Sequence, residues 1–170
     1  MLIRRERAED VDGIAAVQHE AFASTDRPEP PEPALVAALR ADEAWIPELS
    51  LVAERDGDVV GHVCLTRGHV DTLAVAALGP IGVAPKLQRS GIGSALVHAS
   101  LAAADAMHHP LVVLLGSTVY YPRFGFVPAS SVGIEPDVAD WVSHFQVRRL
   151  AGWRPSMTGT FRYAQPFYEL

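Results

Sequence analysis

Hydrophobic residues change their spacing several times along the chain, and each change marks an expected element. Residues 2–5 suit a short opening strand, and from 8 to 23 the apolar positions Val11, Ile14, Ala15, Val17, Ala21 and Phe22 recur near helical period. Four prolines, Pro28, Pro30, Pro31 and Pro33, then remove backbone donors and predict an exposed loop over 25–33. Residues 32–41 read as a second helix, serving either as a linker or as a lid over a binding site. Two strand-like runs, 49–54 and 59–66, flank Arg55-Asp56-Gly57-Asp58, whose Asp and Gly suit the positive φ of a tight turn, so a hairpin is expected.

Residues 73–83 continue in apolar and small side chains, but Gly79, Pro80 and Gly82 lie inside the run. A central strand does not tolerate a missing donor, so a bulge or an opened edge is expected there. From Gly91, residues Ile92, Ala95, Leu96, Ala99, Ala103 and Ala106 share one helical face until Pro110, with His108 and His109 placed to cap the helix end. Residues 111–115 are wholly apolar, as in a buried parallel strand, and 118–124 form a turn or short helix. Strand, helix, strand in that order is a crossover unit. Beyond Pro128 the pattern weakens to two strands, near 145–150 and 158–163, in a tail rich in Trp141, Trp153, Phe161, Tyr163, Phe167 and Tyr168.

A chain of 170 residues, 49% of them hydrophobic, suffices for one core, and a single domain over 1–170 is expected. Its formal charge of -6 opposes nucleic-acid and anionic membrane partners. Apolar runs too short to cross a bilayer and a charged start at residues 1–7 predict a cytoplasmic protein. Cys64 stands alone, so it reads as a packed core thiol, and adjacent histidines at 108 and 109 point to different faces, so no metal is expected.

The segment Ile81-Gly82-Val83-Ala84-Pro85-Lys86-Leu87-Gln88-Arg89-Ser90-Gly91-Ile92-Gly93 leads from a strand into the best helix. The first turn of a helix carries unpartnered N–H groups and partial positive charge, and Gly91 and Gly93 clear the approach for an anion. A P-loop would need Lys and then Ser or Thr after the second glycine, where Ser94-Ala95 stands, and a dinucleotide fingerprint would need a third glycine.

The segment does resemble the coenzyme A pyrophosphate loop of the GNAT superfamily of N-acetyltransferases, Gln/Arg-x-x-Gly-x-Gly/Ala, through Gln88, Gly91 and Gly93, preceded by Val83-Ala84-Pro85. Tyr120-Tyr121-Pro122-Arg123-Phe124-Gly125-Phe126 is similar to the same family's Tyr-x-x-x-Gly-Phe segment. The likeness is strongest over 73–126. It implies an α/β fold: a mixed, mostly antiparallel sheet with a splayed parallel strand pair and helices on both faces. It further implies acetyl-CoA as cosubstrate and direct attack by a primary amine of a small-molecule or peptide acceptor, with a homodimer left open. By the same resemblance, Ile81 and Val83 offer backbone groups to pantetheine, and Gln88, Arg89, Ser90, Gly91, Ile92, Gly93 and Ser94 hold the pyrophosphate. Leu114 stands where many members carry a cofactor-contacting Asn, which leaves Ser117 or Thr118 as substitutes. Tyr121 takes the place of the general acid; expelling a thiolate of pKa about 8.5 gives a phenol near 10 a proton-donating task. For the general base, Glu20, Glu54, His62, His69 and Asp71 remain unranked. The rival function is a non-catalytic acyl-CoA sensor that keeps the loop without turnover.

Overall fold

The computed structural model describes residues 1–169. Its chain order is β1 (Leu2–Arg5), α1 (Val11–Phe22), α2 (Glu32–Ala41), β2 (Trp45–Arg55), β3 (Asp58–Val70), β4 (Leu73–Val83), α3 (Ile92–Ala106), β5 (Leu111–Leu115), β6 (Val127–Pro128), β7 (Ile134–Pro136), β8 (Phe145–Arg149) and β9 (Gly159–Arg162). Among the described residues these strands form one mixed sheet in the order β1-β2-β3-β4-β5-β8-β6, with β9 pairing both β3 and β7. No helix among them is long and apolar enough to cross a membrane.

Alternation along the strands sorts the side chains onto two faces. Leu51, Ala53, Val63, Leu65 and Ala76 pack under α3 with Leu96, Val97 and Leu101, whereas Val52 and Cys64 face the opposite way, against Ile14 of α1 and Leu35, Val36 and Leu39 of α2. Helices therefore cover both faces, as expected. The hairpin turns through Asp56 (φ 56°) and Gly57 (φ 91°), the paired left-handed residues of a type I′ turn.

β4 and α3 keep their expected bounds, and the interruption at Gly79-Pro80 is a bulge: Val63 pairs Ile81 and Leu65 pairs Leu78, so two residues of β4 stand against Cys64 alone. Parallel pairing of β4 with β5 is confined to Ala76–Val112 and Ala77–Val113. Beyond those pairs the two strands separate.

Three expectations are corrected. The first helix begins at Val11 because residues 8–10 form a 3-10 turn, and α3 is closed not by histidine side chains but by backbone. His108 adopts φ 64°, its N–H and that of His109 donating to Asp105 O and Ala104 O. The tail, expected to hold two strands, also contributes β6 and β7, and β7 adds a second, short parallel pairing, with β9.

Beneath α1 and α2, the fully buried His62 is held on both ring nitrogens. Gln18 Nε2 donates to Nδ1 at 2.9 Å, and Nε2 lies 3.0 Å from Ser50 Oγ, whose hydroxyl donates to Glu6 Oε2. That chain requires the neutral Nε2–H tautomer. Arg40 Nε closes the network on Glu6 Oε1 at 2.7 Å. Burial pushes the His62 pKa down despite Glu6; burial also opposes the charge on Glu6, but the adjoining His62, 3.7 Å away, and hydrogen bonds from Arg40 and Ser50 hold its pKa down to about 2.

Both folded-state values are depressed, so both groups contribute stability that is complete above their unfolded values and is lost as pH falls. The loss for His62 starts below about 6.5 and for Glu6 below about 4.5, each with a slope of at most about 1.4 kcal/mol per pH unit. The half-buried His109, also depressed by burial and then by Arg67, adds with the same sign. Thermal melts should therefore show Tm declining from pH 6.5 and more steeply below 4.5, with the upper limb shallower in His62→Gln. A flat wild-type profile between pH 7 and 5 would contradict this account.

Candidate active site

The divergence of β4 from β5 opens two cavities that share Phe22, Ile81 and Tyr120 as a common wall. The smaller, about 680 Å³, lies at the start of α3 and is lined by Val83, Gln88, Arg89, Gly91, Gly93 and Ser94. Gly91 is the N-cap of α3 at φ 93°, a conformation that favours glycine, and no side chain caps the helix. The leading N–H groups of α3 thus meet the cavity without a protein acceptor in front of them. Arg89 and Arg123 add positive charge to the same wall of an otherwise acidic chain. A Cβ at Gly91 would meet nothing within 4 Å, so the space in front of this turn is clear. Backbone donors, two guanidinium groups and clearance together suit a diphosphate.

The strand edge beside this turn is prepared in the same way. Ala84 N–H donates back to Val60 O of β3, so ladder alternation turns the peptide groups of Val83 and Ile81 to the side that β5 has left. Gln88 Nε2 reaches Val83 O at 3.1 Å and ties the loop to the strand end. Two of the expected loop residues face elsewhere with their side chains: Ser90 Oγ donates to Leu87 O, and Ile92 is buried in the core under α3. Ile92 thus offers a ligand only its backbone, and Ser90 has already spent its hydroxyl hydrogen within the turn.

The larger cavity, about 870 Å³, lies at the other end of the opening. Tyr121 lines it from the 3-10 turn Tyr121–Phe124, and its ring fits because Gly116 at the end of β5 has no side chain: a Cβ there would sit 2.5 Å from the ring. Edge contacts with Tyr120 at 5.1 Å and Phe126 at 5.7 Å fix its orientation. Burial, followed by the neighbouring Tyr120, pushes the Tyr121 pKa up to about 12, so the phenol is protonated at neutral pH. Ser117 also lines this cavity, away from the glycine turn, and its Oγ already accepts the N–H groups of Val119 and Tyr120 at 3.3 and 3.2 Å. Leu114 is buried in the core under α3.

None of the five unranked base candidates lines the large cavity. His62 is sealed in its network, Glu54 pairs with Arg4 at 2.7 Å, Asp71 accepts from Thr160 N–H, and Glu20 and His69 are exposed elsewhere. The carboxylate that does line it, Glu32 at the start of α2, was not singled out by the sequence, nor was Arg123, whose guanidinium lies 4.6 Å from the Tyr120 ring. The aromatic tail supplies the far wall through Trp141, Tyr163, Phe167 and Tyr168. Cys64 is a buried core thiol whose pKa burial drives upward, and among the described residues no cluster of His, Cys, Asp and Glu could hold a metal.

This geometry coincides with what comparison finds. An acetyltransferase (GNAT) domain model matches residues 2–129, stopping before the aromatic tail. An uncharacterised N-acetyltransferase of Escherichia coli, YjhQ, is 32% identical over 165 residues, spanning 92% of this chain and 88% of that protein. Among solved structures, the GNAT family N-acetyltransferase YhbS of Escherichia coli, in complex with CoA, is 32% identical and superposes with a TM-score of 0.89 over 98% of this chain and 91% of its own. A GNAT family acetyltransferase of Brucella melitensis, in complex with acetyl-CoA, is also 32% identical, with a TM-score of 0.77 over 98% of this chain and 97% of its own. With a glycine turn, a parted strand pair and relatives that agree over nearly the whole length, the chain belongs to the GNAT family of acetyltransferases.

Proposed function

We propose that this protein is an acetyl-CoA-dependent N-acetyltransferase that holds its donor across the glycine turn and the open edge of β4 and receives a primary amine in the aromatic cavity. The single observation that carries this reading is the arrangement of two cavities end to end, one rich in anion donors and the other bearing a protonated tyrosine, with Tyr120 and Ile81 between them. The CoA and acetyl-CoA complexes of the two 32%-identical relatives support it. We read residues 1–170 as one such domain, acting in the cytoplasm, where a lone buried thiol such as Cys64 is ordinary.

In this reading the first N–H groups of α3 at Ile92, Gly93 and Ser94, with Arg89 and Arg123, neutralise the diphosphate, while Gln88 and Ser90 shape the turn through their bonds to Val83 O and Leu87 O. The outward peptide groups of Ile81 and Val83 bind the pantetheine arm, and the outward N–H of Ile81, which borders the Tyr121 cavity as well, polarises the carbonyl to be attacked. Acetyl-CoA supplies a thioester, and its transfer to an amine forms one C–N bond and breaks one C–S bond. Tyr121 donates its phenolic hydrogen toward the leaving sulfur. With a pKa near 12 it is a weaker acid than a thiol, so it stabilises the developing negative charge first by its hydrogen bond. The proton count closes because an ammonium releases one proton to solvent to become the attacking amine and a second on acylation, which restores to Tyr121 the one it gives to the thiol. Ser117 shapes the turn that carries Tyr121.

Two substitutions test the two ends of this site. Gly91→Asp keeps a residue that tolerates left-handed backbone but puts a carboxylate where the diphosphate belongs, so calorimetry should show acetyl-CoA binding weakened beyond detection while the melt remains cooperative. Unchanged affinity would move the pyrophosphate site elsewhere.

Tyr121→Phe keeps the ring against Gly116 and Phe126 and removes the proton. With an accepted amine, thiol release should fall about 10²- to 10⁴-fold in kcat with little change in the Kd for acetyl-CoA. Full turnover by this variant would shift the role to Tyr120. A sensor without catalysis would bind acetyl-CoA and release no thiol with any amine.

A further inference from the structure

We infer that the acceptor is a cationic amine carried on an apolar, preferably aromatic, body, and that Glu32 holds its ammonium group in the large cavity. This assignment rests on the acetyltransferase reading and gives it a substrate class. Among the described residues lining that cavity, Glu32 is the single carboxylate, and no lysine, arginine or histidine joins it. Such a wall attracts one positive charge and offers no partner to a carboxylate or phosphate on the ligand.

The two oxygens of Glu32 have different surroundings. Oε1 accepts from Arg27 Nη1 at 3.3 Å, a bridge whose arginine side chain is 49% exposed. Oε2 is buried and makes no hydrogen bond within the chain, although the Glu32 side chain is only 14% exposed. A buried carboxylate oxygen without a partner is costly, and because the terminal torsion of a glutamate is broad and two-fold, a small turn of the Glu32 carboxylate would let a ligand ammonium in the cavity satisfy it. An acidic residue in the first turn of a helix is favourable on its own account, which explains a glutamate at this position. Helix electrostatics does not explain why one oxygen of a carboxylate that lines an apolar chamber is left unpaired.

The rest of the chamber selects the body of the ligand. Trp141 stacks on Tyr168 at 5.7 Å and meets Tyr163 edge-on at 5.6 Å, so aromatic faces border the chamber. Tyr168 Oη in turn donates to Asp137 at 2.9 Å, which enriches the electron density of that ring. Aromatic faces favour an apolar ligand body and also a nearby cation. A volume of about 870 Å³ admits a small molecule or a single side chain.

Three ligands of one shape separate charge from size: 2-phenylethylamine, 2-phenylethanol and 3-phenylpropionate. Their Kd values are measured by tryptophan fluorescence and calorimetry on the full chain saturated with CoA, for wild type, Glu32→Gln and Arg27→Ala. The wild type should bind the amine best and the carboxylate worst. Glu32→Gln should weaken the amine about 10- to 100-fold and leave the alcohol unchanged, while Arg27→Ala should track the wild type. Equal affinity for amine and alcohol in the wild type overturns the assignment. So does a loss in Glu32→Gln shared by both ligands, or an equal loss in Arg27→Ala, either of which assigns Glu32 to holding the loop. CoA affinity, measured first, is a separate readout: its absence overturns the donor reading, while normal CoA binding without amine preference overturns this inference alone.

Discussion

The organisation of the molecule depends on β4 and β5 being unable to remain paired. Two residues of β4, Gly79 and Pro80, occupy the space opposite one residue of β3, and Pro80 has no N–H to offer a neighbour. Parallel pairing therefore ends at Ala77 and Val113, and the two cavities open past that point. An edge that would be a liability on the outside of a sheet is here enclosed between helices on both faces. Its peptide groups remain available to a ligand, and the turn into α3 follows directly at its end.

Charge is distributed along this opening with more structure than the net value of -6 suggests. Arginines 89 and 123 stand at the end where α3 begins, whereas Glu32 stands at the other, among aromatic rings. Between the faces, the charge of Glu6 is kept away from the cleft by Arg40, Ser50 and His62. Both ring nitrogens of His62 are engaged within that network and its side chain is fully buried, so His62, although a histidine close to β4, is not placed to exchange a proton with a substrate.

What could be read from the sequence was local. The glycine turn, the interruption of β4 by Gly79 and Pro80 and the apolar face of α3 each follow from neighbouring residues, and each lies where it was expected. Tyr121 was legible through its motif, but its ring position depends on the absence of a side chain at Gly116, a contact that spacing alone does not reveal. Glu32 looked like an ordinary acidic residue in a first helical turn; its placement at the cavity depends on how α2 packs against α1 and the tail, which is a tertiary property. The tail was least legible because β6 and β7 are two and three residues long and find partners far away in sequence. The histidines after α3 failed as caps because the backbone itself closes the helix.

The Trp141, Tyr163, Phe167 and Tyr168 wall comes from the end of the chain, and Phe22, Glu32 and Leu35 come from the beginning, while the glycine turn and its strand are one continuous stretch in the middle. The far wall of one cavity and the glycine turn of the other are thus drawn from separate parts of the sequence. A substitution at Glu32, Leu35 or one of the tail rings would therefore reshape the larger cavity while leaving the residues of the glycine turn in place.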